Sequence, residues 1–233
     1  MEKRVLMIAS VASMIDLFNK DNLLLLKQLG MEIDVAANFK KGNITSQERV
    51  NEFKNELKFR GIKVIDWPCP RSVFRIVDII KSYKILKKLV DRSNYRIVHC
   101  HSPIGGVIVR IACISARKNG TKMLYTVHGF HFFKGSSILN WLFFYPIEKL
   151  CSRFTDILLT MNQEDYQLAR KWNTCKVEYI PGIGIHTKNL RNISVNKKAY
   201  RKEFGLEEED FVFMSNGQVS LRKNHEVIIR ALA

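Results

Sequence analysis

The chain has 233 residues, enough for one large domain or for one of ordinary size with part of a second. Hydrophobic residues at 46% and charged residues at 26% exclude a chain dominated by disorder. The 38 Lys and Arg against 22 Asp and Glu leave a net charge of +16, which points to anionic partners: nucleic acid, an anionic membrane surface or phosphorylated substrates.

Met1-Glu2-Lys3-Arg4 leads directly into Val5-Leu6-Met7-Ile8-Ala9, a short apolar run suited to a buried parallel strand rather than to a signal-peptide core. Leucines at helical spacing over 16–30 predict a helix stopped by Gly30, and 33–37 predicts a second strand. A helix over 46–60 with Gly61 as its stop and a strand over 62–67 follow, until Pro68 and Pro70 break the chain. Between Arg71 and Arg96, eight basic residues face only Asp78 and Asp91, while Val73, Ile76, Val77, Ile80 and Tyr83 repeat at helical spacing. This basic amphipathic helix reads either as a solvated surface helix or as a contact for anionic lipid headgroups.

The strand 96–101 ends in His99-Cys100-His101 and is followed by Ser102-Pro103-Ile104-Gly105-Gly106 and a helix over 105–118. The strand 123–127 ends at His128-Gly129 and opens into the aromatic loop Phe130-His131-Phe132-Phe133. An aromatic helix over 138–154, expected mostly in the core, a strand over 156–161, a helix over 163–172 and a short strand over 177–180 complete the alternation. The apolar run 138–147, broken by Asn140 and Pro146, is far short of the roughly 20 residues a spanning helix needs. Strands alternating with helices predict an α/β fold: a doubly wound, mostly parallel Rossmann-like sheet over 1–180. Residues 181–210 read as a linker with a connecting helix over 197–204, and 211–233 as the first strand and helix of an incomplete second Rossmann-like domain.

In an open α/β sheet, ligands lie beyond the carboxyl ends of the strands, so His128 is the central candidate and two strands deliver imidazoles to one crevice. Ser10, Ser13, His101, Ser102, Gly105, Gly129 and His131 are the accompanying cleft residues. Taken alone, His128 reads equally as a histidine bonded to loop backbone or as a functional group. Neither GxGxxG after the first strand nor GxxxxGK[ST] is present, and no GxSxG elbow supports a hydrolase. His99 and His101 form an HxH pair without a cysteine pair or carboxylate to complete a site, a weak metal signal, so no metal is expected. Five widely spaced cysteines without a CxxC pair fit a reducing cytoplasm.

The series His99-Cys100-His101-Ser102-Pro103, Thr126-Val127-His128-Gly129-Phe130-His131-Phe132, Asn140-Trp141 through Pro146-Ile147-Glu148-Lys149, Asn162-Gln163-Glu164-Asp165-Tyr166 and Ile180-Pro181-Gly182-Ile183-Gly184 resembles the amino-terminal half of family-4 glycosyltransferases. Its nearest likeness is to bacterial enzymes that build capsular, exopolysaccharide or lipopolysaccharide chains. The resemblance implies a GT-B architecture, with acceptor held by a first Rossmann-like domain and nucleotide-sugar donor by a second. It further implies retention of anomeric configuration, no cofactor beyond the nucleotide-sugar co-substrate, and a peripheral position on the cytoplasmic face of the membrane. His128 matches the family histidine near the transferred sugar; Lys223, following Gly217, matches the lysine that holds the donor diphosphate. Gln218 and His186 depart from the family's arginine and aspartate, and the motif of two glutamates that grips the donor is expected beyond residue 233.

The expectation is therefore a retaining glycosyltransferase acting on a lipid-linked or glycan acceptor, truncated in its donor domain and inactive by itself. The alternative is a non-catalytic acceptor- or membrane-binding module working with a separate donor-domain chain. A nucleic-acid partner is not expected, because no stacking aromatic motif accompanies the basic stripe.

Overall fold

A computed structural model describes residues 3–185, 187–217, 219–221 and 223–232. His186 and Gln218 therefore lie outside the described residues. The chain divides into two compact units, Met1–Ile183 and Gly184–Ala233.

The first unit is a seven-stranded, all-parallel sheet: β1 (Arg4–Val11), β2 (Glu32–Asn38), β3 (Lys63–Asp66), β4 (Ile97–His101), β5 (Lys122–Val127), β6 (Ile157–Thr160) and β7 (Lys176–Tyr179). The spatial order is β3-β2-β1-β4-β5-β6-β7. The chain winds outward from β1 to β3, returns to lay β4 against the other side of β1, and winds outward again. The order thus reverses between β1 and β4, the place where an open parallel sheet leaves a crevice at its carboxyl ends.

Side-chain alternation in β1 builds both faces at once. Leu6 and Ile8 enter one core with Trp67, Leu86, Tyr95 and Tyr125, whereas Met7 and Ala9 enter the other with Ile15, Val35 and Phe53. A strand buried on both sides must be apolar throughout, which is why 5–9 carries no polar residue. One end of the sheet is pinned by Asp34, which accepts from the Tyr95 hydroxyl at 2.6 Å and pairs with Arg4 at 3.0 Å.

The helices are shorter than their periodicity suggests. The stretch 16–30 forms two, α1 (Ala12–Phe18) and α2 (Lys20–Gln28), because the buried Asn19 donates its amide to the Met14 carbonyl at 3.3 Å and interrupts the run. Helix α3 (Gln47–Phe59) starts where Ser46 Oγ accepts the Arg49 N–H and ends before Gly61, whose φ of +66° suits a residue without Cβ. The basic helix is α4 (Ile76–Arg92); Arg71, Ser72, Val73 and Phe74 belong to the loop ahead of it. The run 105–118 splits into α5 (Pro103–Ala112) and α6 (Ile114–Lys118). Helix α7 (Ile138–Ser152) turns Trp141, Phe144 and Tyr145 to the core but leaves Ile138, Leu139, Leu142 and Phe143 exposed, so it is core on one side only. Helix α8 (Gln163–Arg170) is capped by Asn162, whose Oδ1 accepts the Asp165 N–H at 2.8 Å.

The second unit contains α9 (Thr187–Arg191), which the sequence pattern reads as linker, with α10 (Lys197–Glu203) and α11 (His225–Leu232). Arg201 ties the acidic loop to α10 by donating to the Glu207 carbonyl at 2.9 Å and the Asp210 carbonyl at 2.7 Å. Residues 211–215, expected to open a strand, join no ladder among the described residues. A strand requires a neighbour to satisfy its backbone groups, and the described residues of this unit supply none.

Candidate active site

The register of β4 against β5 sets the site. His99 lies opposite Leu124 and His101 opposite Thr126, so His128, two residues beyond Thr126, emerges on the same face as His101. His101 Nδ1 and His128 Nε2 are 3.2 Å apart, and the far nitrogen of His101, Nε2, meets Met7 Sδ at 3.3 Å. His99 lies against His101 at 4.3 Å between ring centroids, the rings tilted by 39°, and holds Thr126 Oγ1 at 2.7 Å. Two strands therefore deliver one imidazole cluster, backed by Met7 of β1, with His101 buried and His128 at its exposed end.

Burial disfavours charge on all three rings. It lowers His99 to about 4, with His128 adding in the same direction. It also holds His101 well below the usual histidine range, with His99 and His128 contributing, and lowers His128. The cluster is neutral at pH 7.

The loop carrying His128 is clamped from α8. Gly129 has a φ of +106°, a conformation a side chain would strain, and the next residue, Phe130, donates its N–H to Asp165 at 3.0 Å. Asp165 also accepts from Asn162 Nδ2 at 2.8 Å, and burial raises its pKa. Phe130 and Phe132 stack at 4.6 Å and pack on Trp172, so the aromatic loop is anchored in the core while His131 and Phe133 are exposed.

A cavity of about 470 Å³ opens at the reversal between β1 and β4, walled by Ser10, Val11, Met14, Arg71, Ser72, Val73, Ser102, Pro103, Ile104, His131 and Phe144. Ser10 and Ser102 meet in its wall: the Ser10 N–H reaches Ser102 Oγ at 3.4 Å, and Ser102 adopts a φ of 77°, a strained value for a non-glycine residue. Gly105 admits this packing, because a Cβ there would lie 2.6 Å from Ser10 Oγ. Ser13 is placed differently. Its hydroxyl accepts from Ile44 N–H at 3.2 Å and its own N–H donates to Asn43 at 2.9 Å, so it is consumed in holding a loop. His131 contacts Phe144 at 4.8 Å and is itself cavity wall; His128 stands beside Phe18 at 6.2 Å and is not part of that wall.

Pattern reading missed the buried pair Arg110 and Glu148, joined at 2.8 Å. Arg110 also donates to the Gly106 carbonyl at 2.9 Å and lies 4.0 Å over the Tyr125 ring. Burial alone would lower Arg110, but Glu148 outweighs it and the guanidinium is raised. A lone arginine within Ile108-Val109-Arg110-Ile111-Ala112 was the available signal, because a charge on a buried face demands a partner.

In the second unit, Gly217 lies close to Lys223 and His225: a Cβ there would be 3.4 Å from His225 Nε2 and 3.9 Å from Lys223 Cδ. Ser215 Oγ meets His225 Nδ1 at 2.7 Å.

The sequence profile described as "Glycosyl transferase 4-like" matches residues 17–162. Over all of this chain, the sequence is 38% identical to "Putative glycosyltransferase EpsD" of Bacillus subtilis (strain 168), covering 58% of that protein. Over 66% of this chain it is 30% identical to the Escherichia coli "UDP-Gal:alpha-D-GlcNAc-diphosphoundecaprenol alpha-1,3-galactosyltransferase", covering 40% of it. The chain thus spans roughly half the length of these relatives. Among solved structures, the MurG of Acinetobacter baumannii matches at a TM-score of 0.48 and 12% identity, over 83% of this chain and 50% of that one. The profile covers most of the sheet, including both histidine-bearing strands, and the chain belongs to the glycosyl transferase 4-like family.

Proposed function

We propose that this chain forms the acceptor side of a retaining glycosyltransferase that transfers a sugar from a nucleotide-sugar to a lipid-linked glycan at the cytoplasmic face of the membrane, in surface polysaccharide synthesis. The observation that carries this reading is the neutral imidazole cluster ending in exposed His128, beside a cavity at the reversal of strand order. The relatives' names supply the chemistry of donor and acceptor.

In transfer, an acceptor hydroxyl oxygen bonds to the anomeric carbon as the bond from that carbon to the donor phosphate breaks, and the nucleoside diphosphate leaves with the electron pair. His128 places a sugar hydroxyl through its outward nitrogen. The Lys223 side chain, near Gly217 in the second unit, meets charge developing on the diphosphate.

A peripheral position is supported by α4 and the loop before it. Phe74 and Val77 are 89% and 79% exposed, with Ile76 and Ile80 also open to solvent, and Arg75, Lys81, Lys84 and Lys88 flank them. Apolar side chains ringed by cations suit an anionic lipid surface. No helix among the described residues is long and apolar enough to cross a membrane. Incubating the complete enzyme with a panel of UDP- and GDP-sugars and a polyprenyl diphosphate sugar should yield a lipid-extractable product with the donor's anomeric configuration. An inverted product would remove the retaining assignment, and transfer only to soluble glycans would remove the lipid-linked acceptor.

A further inference from the structure

Arg71 stands in the wall between two cavities. One is the cavity at Ser10 and Ser102; the other, of about 510 Å³, is lined in part by Lys40, Lys41, Gly42, Asp66, Arg75 and Asp78 as well as Arg71. Its position is built rather than incidental. Arg71 Nη1 donates to the Gly42 carbonyl at 2.8 Å, and Gly42, at a φ of +81°, leaves room for the stem: a Cβ there would be 2.8 Å from Arg71 Cδ. The remaining guanidinium donors are left for a ligand.

The second cavity is cationic in excess. Lys40 pairs with Asp66 at 3.1 Å and Arg75 with Asp78, whereas Lys41 and Arg71 make no ion pair among the described residues. Four cations less two carboxylates leave +2 on its wall. A diphosphate linking two organic groups carries one negative charge on each phosphate and matches that excess, and a planar guanidinium is suited to its oxygens. Directly beyond Arg71 come the exposed Phe74, Ile76 and Val77, a surface for the apolar part of an amphiphile. Cavity, cation pair and apolar surface thus follow one another in the order of sugar, diphosphate and lipid.

We propose that Arg71, assisted by Lys41, binds the diphosphate of a lipid-linked acceptor, with the sugar directed toward Ser10 and Ser102. This rests on the reading above that the acceptor is lipid-linked. Inorganic pyrophosphate titrated calorimetrically into the chain should bind, and Arg71→Gln should weaken it about tenfold, the weight of one charge-assisted hydrogen bond. Arg71→Lys should recover only part of the loss, because the charge returns without the fork. Arg71 is exposed, so both variants should keep the wild-type melting temperature. Phosphatidylcholine vesicles carrying farnesyl diphosphate should bind more tightly than vesicles of equal charge carrying phosphatidylglycerol, and pyrophosphate should compete. Equal pyrophosphate affinity in wild type and Arg71→Gln overturns the site. Equal binding of the two charged vesicles, together with pyrophosphate binding that does not depend on Arg71, overturns it in favour of a general contact with anionic headgroups. Arg71-dependent pyrophosphate binding without any preference for farnesyl diphosphate vesicles upholds the diphosphate site and removes the lipid-linked reading beneath it.

Discussion

His101 and His128, from strands adjacent in the sheet, form a directed chain: Met7 Sδ, His101 Nε2, His101 Nδ1 and His128 Nε2 follow one another at 3.3 and 3.2 Å. A thioether sulfur only accepts, so His101 carries its proton on Nε2 and presents a bare Nδ1. His128 must then donate from Nε2, which leaves its own Nδ1 unprotonated at the exposed end. The cluster therefore offers a hydrogen-bond acceptor at its exposed end, the role the proposed function gives it toward a sugar hydroxyl. Nitrogen-15 spectra of the histidine rings should show unprotonated Nδ1 on both residues and a coupling across the hydrogen bond between them; a proton on His128 Nδ1 would reverse the direction of the chain.

In the complete enzyme, His128→Ala should lower turnover by about a hundredfold, in the range for loss of one aligned contact, with a nearly unchanged melting temperature because the ring is exposed. His131→Ala, altering the cavity wall, should act mainly on acceptor KM. An early-melting His128→Ala with full activity per folded molecule would make the residue scaffolding.

The buried imidazoles make stability depend on pH. For His99 the folded-state value of about 4 lies below the unfolded value near 6.5, so between these limits the unfolded chain binds more protons. Stability from this group is fully present above about pH 6.5 and is lost as pH falls toward 4. Denaturant titrations over that window should show a decline that is shallower in His99→Phe; identical slopes in both proteins would refute it.

Breaking the Arg110 and Glu148 pair leaves an uncompensated charge in the core, so Glu148→Ala should cost about 3 to 5 kcal/mol of stability. Removing both charges together, Arg110→Met with Glu148→Leu, should cost much less than Glu148→Ala alone. Equal losses would mean that packing, not charge, sets the penalty.

Vesicle binding through α4 should weaken steeply with salt, since each basic residue near an anionic surface contributes about 1 kcal/mol before screening. Replacing Lys81, Lys84 and Lys88 by glutamine should reduce co-sedimentation with anionic vesicles and leave neutral ones unaffected. Equal binding of the wild-type chain to both vesicle types would exclude a charge-driven contact.

The sequence determined the sheet and its direction of reading, because a doubly buried strand such as Val5-Leu6-Met7-Ile8-Ala9 and helices stopped by Gly30 and Gly61 are local signals. It also marked His128, His101, Ser10 and Ser102 as strand-end residues. Tertiary structure alone decided which of them meet. The pairing of β4 with β5 sets His101 against His128, and the return of β4 to β1 brings Ser102 to Ser10 across 92 positions of chain. Asn43 and Ile44 claim Ser13, and the loop at Gly42 fixes Arg71. The buried Arg110 and Glu148 lie 38 positions apart, a separation that no periodicity encodes. Periodicity reports which face of an element is buried, whereas a site is made where different elements converge, and that convergence depends on strand order and register summed over the whole sheet.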